Sequence, residues 1–176
     1  MRNKSKRIYA ESLLRLLEKS PYELITISEI CDHTSLTRRT FYNNFTSKEE
    51  VAEVICEELM DGYIEQIHRS GEFTLLGMSR EFYDYGAKNS ESFMTLHKSG
   101  IFHIFSRVFI SRLGYINSLV PNNILSRVDA VQQNYTFLFH SAGVLKIFEE
   151  WLISGMNESS AELSEIYTSI VRDVQS

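Results

Sequence analysis

The sequence predicts an all-α fold of about nine helices, with a three-helix N-terminal segment ahead of a larger helical body. Three observations carry it. Only two prolines, Pro21 and Pro121, interrupt 176 residues, and β-branched alternation is rare. Apolar residues recur at three- and four-residue steps along most of the chain. Three segments, Thr26 to Glu29, Ser47 to Glu50 and Ser159 to Glu162, have the form of a capping box, in which a hydroxyl accepts from an orphan N–H and a glutamate reaches back.

Each element follows in order. Lys4 to Lys19 reads as a first helix, with Ala10, Leu13, Leu14 and Leu17 as its apolar stripe and a basic entry from Arg2, Lys4, Lys6 and Arg7; Pro21 helps to end it. A second helix starts near residue 27, after its Thr26 cap. Ser35-Leu36-Thr37 breaks the pattern, and Thr37 is the N-cap of a very short helix from Arg38 to Asn44. From Ser47 a long helix carries Val51, Val54, Ile55 and Leu59 inward to about Arg69, where Gly71 breaks it. Helices over Phe73 to Lys88, Glu91 to His97 and Ile101 to Leu119 come next. Asn123 to Ile153 places Val128, Val131, Tyr135, Leu138, Ala142, Leu145 and Leu152 along one long amphipathic helix. A last helix carries Leu163, Ile166, Tyr167, Ile170, Val171 and Val174. The domains implied are residues 1–47 and residues 48–176, with the helix 48–69 linking them.

Composition narrows the class. A 43% hydrophobic content suits a globular protein, and eleven Phe and nine Tyr against one Trp supply ample aromatic interior. The longest apolar runs fall well short of a membrane span, and Glu11, Arg15 and Glu18 stand where a signal peptide needs apolar residues, so a cytoplasmic protein without a membrane partner is expected. Cys31 and Cys56 lack the spacing of a zinc site or a disulfide framework and read as reduced, buried thiols. The net charge of -5 argues against a nucleic-acid partner until its distribution is considered. Residues 1–48 hold nine Lys/Arg against five Asp/Glu, net +4, which leaves nine against eighteen beyond, net -9. A basic head on an acidic body is the asymmetry of a nucleic-acid reader.

The block from Ile25 to Val51, ITISEICDHTSLTRRTFYNNFTSKEEV, carries the functional signal. Phe41 and Phe45 are four apart and share a face; with Ile27, Ile30 and Leu36 they pin the short helix, leaving Arg38, Arg39, Thr40, Tyr42, Asn43 and Asn44 to project outward. A helix so short has no stability of its own, and a polar turn and a half held this way suits a major groove. Arg38 or Arg39 can address guanine O6/N7 or a phosphate, and Asn43 or Asn44 can pair bidentately with adenine. Thr40 and Tyr42 can touch phosphate or a thymine methyl. Thr37, Thr26 and Lys48, at the starts of their helices, are placed to meet phosphates beside backbone N–H groups.

This block resembles the N-terminal domain of TetR-family regulators, whose pattern of an Ile-containing helix, a small-residue turn, Thr-Phe-Tyr-x-x-Phe and Ser-Lys-Glu-Glu is matched by Thr40-Phe41-Tyr42, Phe45 and Ser47-Lys48-Glu49-Glu50. Cys31, Thr34 and Ser35 stand for the usual small residues. Asn43-Asn44 replaces the Arg/Lys/Tyr and His common in the family, so base preference is not inherited. Ala142-Gly143, Trp151-Leu152, Gly155-Met156 and Ser160 to Leu163 look like the ending of shorter members, in which the last two helices pair with a second subunit and a glycine such as Gly143 permits close approach. The resemblance implies a ligand-responsive homodimeric repressor: double-stranded DNA with a near-palindromic operator as partner, a helical body for dimerisation and for a small apolar or amphipathic ligand, and no cofactor.

For that ligand, Phe82, Tyr85, Phe93, Phe102, Phe105, Phe109, Phe137 and Phe139 are dense enough to line a pocket, with His140 as a hydrogen-bonding group; the same residues serve equally as core. The five histidines, His97 and His103 included, have no Glu or Cys completing a metal-ligand set. An enzyme is not expected, since the chain has no phosphate-cradling glycine loop, nucleophile elbow or spaced carboxylate pair. The rival reading is a co-regulator of the same shape, acting through a protein partner with weak or no operator binding.

Overall fold

The computed structural model describes residues 2–120 and 129–175, with side chains placed for 4–120, 129 and 131–171. Among the described residues the fold is all-α. Nine α-helices are seen there: α1 (Arg2–Leu17), α2 (Ile27–Asp32), α3 (Arg38–Tyr42), α4 (Lys48–Ser70), α5 (Leu75–Lys88), α6 (Ser90–Lys98), α7 (Phe102–Leu119), α8 (Ala130–Ile153) and α9 (Ser160–Gln175). A 3-10 turn, Tyr22–Leu24, follows Pro21.

The chain divides into two compact units, Met1–Asp61 with Glu91–Val108, and Gly62–Ser90 with Phe109–Ser176. We call them head and body. The sequence draws a single line between residues 47 and 48; the compact units divide α4 after Asp61 and α7 after Val108, with α6 in the head from Glu91 on. Contacts between residues far apart in sequence decide this, and no composition shift marks them.

In the head, α1 packs on α2 and α2 on α3. Ala10, Leu13 and Leu17 of α1, Ile30 and Cys31 of α2, Phe41 and Phe45 around α3, and Val51, Ala52 and Ile55 of α4 are buried together as the core residues of this unit. Leu14, Ile27, Leu36 and Val54, also expected inside, are half-buried. Phe93, Phe102 and Phe105 add a second aromatic cluster, with ring centroids 4.9 Å apart for Phe93–Phe105 and 5.7 Å for Phe102–Phe105. Arg107 on α7 bridges Glu49 at 2.6 Å and Glu53 at 2.8 Å, both on the outer face of α4.

In the body, α5 is central and packs against both α8 and α9. Phe82, fully buried, meets Tyr63, Phe109 and Phe148 at centroid distances of 5.1, 5.3 and 5.0 Å. Gly86 is what lets α8 come this close: a β-carbon there would collide with the Phe148 ring. The turn out of α8 is closed by Gly155 at φ +97° and a Met156 N–H donated to the Trp151 carbonyl at 2.9 Å. Ser160 of α9 hydrogen-bonds Asp84 of α5. The expected start of the long helix at Asn123 and the role of Val128 lie outside the described residues, as does the side chain of Val174. Asp129 is the N-cap of α8, accepting from the Gln132 N–H at 2.9 Å.

Two of the three capping boxes form in full. Thr26 accepts from the Glu29 N–H at 3.2 Å while Glu29 accepts the Thr26 N–H at 2.7 Å, and Ser159 with Glu162 does the same at 3.2 and 2.8 Å. In the third, Ser47 accepts from the Glu50 N–H at 3.3 Å, but the Glu50 carboxylate takes the Thr46 N–H instead, at 2.9 Å. These hydrogen bonds hold the Glu29, Glu50 and Glu162 carboxyls below their ordinary pKa.

Candidate DNA-binding site

Helix α3 has five residues, too few to stand alone. Three anchors fix it. Phe41 and Phe45 are buried against Tyr9 of α1, whose ring meets theirs edge-on at 5.3 and 6.0 Å. The Tyr9 hydroxyl donates to the Thr37 carbonyl at 2.8 Å, at the entry to α3. Thr37 caps the helix, accepting from the Thr40 N–H at 3.2 Å. One helix away, Ser12 donates to the Ile30 carbonyl at 2.7 Å and ties α1 to α2. Burial raises the Tyr9 phenol above its ordinary pKa, so the donor keeps its proton at neutral pH.

The opposite face is open. Arg38, Arg39, Tyr42 and Asn43 are exposed, Tyr42 to 59% although it is aromatic. Among the described residues neither Arg38 nor Arg39 is held in an ion pair, so both guanidinium groups are available to an anion. The other expected contacts are more committed. The Thr37 and Thr40 hydroxyls lie 3.0 Å apart and bond each other. The short helix ends at Tyr42, two residues before the expected Asn44, because Asn43 is its C-cap and the Asn44 and Phe45 N–H groups both close on the Phe41 carbonyl. The Asn44 side-chain amide turns back and donates to the Thr40 carbonyl at 2.7 Å. Thr26 is exposed, with its hydroxyl and N–H inside the capping box. The Lys48 ammonium points to the Tyr22, Glu23 and Ile25 carbonyls.

The residues expected around a ligand fall in both units. Phe93, Phe102 and Phe105 pack in the head, while Phe82, Tyr85, Phe109, Phe137 and His140 belong to the body, and Phe139 is 59% exposed. Of these, Phe109, Phe137 and His140 line one cavity of about 30 Å³, with Tyr63, Met78, Ser79 and Ser141 among its other walls. That volume holds a water or two. Beside it His140 Nδ1 lies 2.7 Å from the Tyr167 hydroxyl, and burial lowers the imidazole pKa, so the ring is neutral at pH 7. The Tyr83 hydroxyl is buried with no hydrogen-bond partner among the described residues. Phe82 and Tyr85 are instead engaged in packing, Tyr85 against Tyr63 at 6.3 Å and over Gly62.

Tyr9 is the site residue that sequence reasoning passed over. It sits four before Leu13, so helical spacing marks it as core, but nothing local signals a hydroxyl bond to a carbonyl 28 residues on. Gly143, expected at a subunit contact, has Tyr167 of the same chain 3.8 Å from where its β-carbon would be.

A short anchored helix behind a capped second helix is the geometry of a helix-turn-helix. Residues 11–55 match the family model described as bacterial regulatory proteins, tetR family, so this segment is similar to the DNA-binding part of TetR-family regulators. The fold is similar to that of a solved structure titled dihydroxyacetone kinase operon activator DhaS, with a TM-score of 0.60, 21% identity, and coverage of 95% of this chain and 92% of that one. No curated protein matches the chain in sequence. Among the described residues no helix is long and apolar enough to cross a membrane.

Proposed function

We propose that the chain is a homodimeric repressor that reads a near-palindromic operator with α3 and releases it when a small apolar or amphipathic ligand enters the body. One observation carries the reading: α3 buries Phe41 completely and leaves Arg38, Arg39, Tyr42 and the C-cap Asn43 exposed. In this account Arg38 or Arg39 addresses guanine or phosphate, Asn43 adenine, and Tyr42 with Thr37, Thr40 and Thr26 the backbone or a thymine methyl. Asn44 can pair bidentately only by releasing the Thr40 carbonyl.

Dimerisation is supported by an unusual concentration of exposed apolar side chains. Val131, Tyr135, Leu138 and Phe139 form a stripe at helical spacing on α8, and Ile166 and Ile170 another on α9, with exposures from 41% to 67%. Operator reading requires a dimer whose two α3 helices stand roughly 34 Å apart, one turn of DNA. Ligand response requires the water-sized cavity beside His140 to enlarge, a minor conformation made dominant by what fills it.

The smallness of that cavity favours a second reading, the co-regulator that acts through a protein partner with little operator affinity. The similar structure is titled an operon activator, which also leaves the sign of regulation open to activation. Selection of duplexes from a random pool by the full-length chain, with its mass measured by sedimentation, separates the two. Repressor or activator, a DNA reader enriches near-palindromic half-sites about 10 bp apart, centre to centre. A folded dimer that enriches nothing is the co-regulator.

A further inference from the structure

Lys48 opens α4, where the positive end of the helix dipole makes a cation unwelcome. Its ammonium leans away from that end. It donates to the carbonyls of Tyr22 at 2.7 Å, Ile25 at 2.8 Å and Glu23 at 3.3 Å, and lies 4.2 Å from the centroid of the buried Tyr22 ring. A lysine has three N–H donors, and here all three are spent inside the protein. The carbonyls come from the 3-10 turn and the residue that feeds the Thr26 cap of α2, so one side chain joins the first turn of α4 to the entry of the helix-turn-helix. On the same two turns of α4, Glu49 and Glu53 are held by Arg107 of α7. The start of α4 is thus fastened on both sides within the head.

We propose that Lys48 is a positioning residue, which fixes the α4–α2 geometry from which α3 is presented, and that it contributes no phosphate contact. The proposal rests on the DNA-reading function of the head. Phosphate contact and internal bracing predict different responses to salt and to a charge-conserving change. A phosphate ligand replaced by an apolar residue lowers the slope of log affinity against log salt by about 0.9. Lys48→Arg keeps the charge for a phosphate, but a planar guanidinium fork cannot converge on three carbonyls as an ammonium does.

The test uses the full-length chain, Lys48→Met and Lys48→Arg, with two probes: a fluorescent random-sequence duplex, and the duplex that the unaltered chain enriches from a pool. Thermal unfolding is followed in parallel. Both variants should unfold at lower temperature and bind the enriched duplex about tenfold more weakly, the loss expected when a hydrogen bond from a charged group is removed, while the salt slope of Lys48→Met stays that of the unaltered chain. A slope reduced by about 0.9 in Lys48→Met with Lys48→Arg binding normally would overturn the proposal. So would unfolding temperatures unchanged in both variants. If the unaltered chain binds neither duplex, the DNA-reading function fails, and the unfolding temperatures alone still decide whether Lys48 braces the head.

Discussion

In the head, side chains of other helices reach backbone carbonyls around the helix-turn-helix: Tyr9 to Thr37 at the entry to the five-residue α3, Ser12 to Ile30 in α2, and Lys48 to Tyr22, Glu23 and Ile25 ahead of α2. In the body, α5, α8 and α9 span 14, 24 and 16 residues, and are held by ring packing around Phe82 and by the close approach at Gly86. The contrast follows from length. A long helix supplies enough apolar area to secure itself, whereas a short one that must leave its polar face free has to be held by its ends. Directional bonds set an angle; apolar packing sets a volume. A surface that must fit a groove depends on the first, and a unit that has only to hold its core together can rely on the second.

Three substitutions probe that contrast, from the largest effect to the smallest. Phe82→Ala removes the ring at the centre of the body and should cost about 3–5 kcal/mol of stability, read from denaturant unfolding. If the two units behave independently, the DNA affinity of the protein that remains folded should change little. Tyr9→Phe keeps the ring against Phe41 and Phe45 but takes the donor from the Thr37 carbonyl, which still accepts the Phe41 N–H at 2.9 Å. A modest loss of about 0.5–1.5 kcal/mol is expected, with a larger proportional fall in binding to an enriched duplex than to random DNA. Equal falls on both duplexes would show that the hydroxyl does not orient α3.

The smallest effect concerns pH. Burial holds the His140 pKa below its unfolded value, so the unfolded chain binds the proton more readily as pH falls. Stability contributed by the neutral ring is therefore complete above about pH 6.5 and is lost as pH drops through the folded pKa. Thermal midpoints measured from pH 7.5 to pH 5 should decline more steeply for the unaltered chain than for His140→Gln; parallel declines would mean that the ring does not titrate across the transition.

Much of this arrangement was legible in the sequence where local chemistry decides structure. The Thr26–Glu29 and Ser159–Glu162 boxes, the Thr37 cap and the burial of Phe41 and Phe45 depend on residues three or four apart, a spacing that can be read directly. Bonds to distant carbonyls leave no such trace: nothing in the sequence distinguishes a Lys48 that faces solvent from one that faces Tyr22, Glu23 and Ile25. Nor does helical periodicity tell which apolar stripe a helix buries within its own chain. Val131, Tyr135 and Leu138 keep step with Leu152 in sequence, yet they are exposed while Leu152 is buried. The aromatic residues grouped as a ligand pocket divide between head and body for the same reason, since density along the chain does not fix position in space.

The central claim is that the exposed face of α3 reads DNA. It is tested most directly by titrating the duplex enriched from a random pool with the unaltered chain and with the double variant Arg38→Ala, Arg39→Ala, at several salt concentrations. The account predicts an affinity at least about 100-fold lower for the variant and a shallower salt slope, with unfolding unchanged. Equal affinity and equal slope for the two proteins would contradict it.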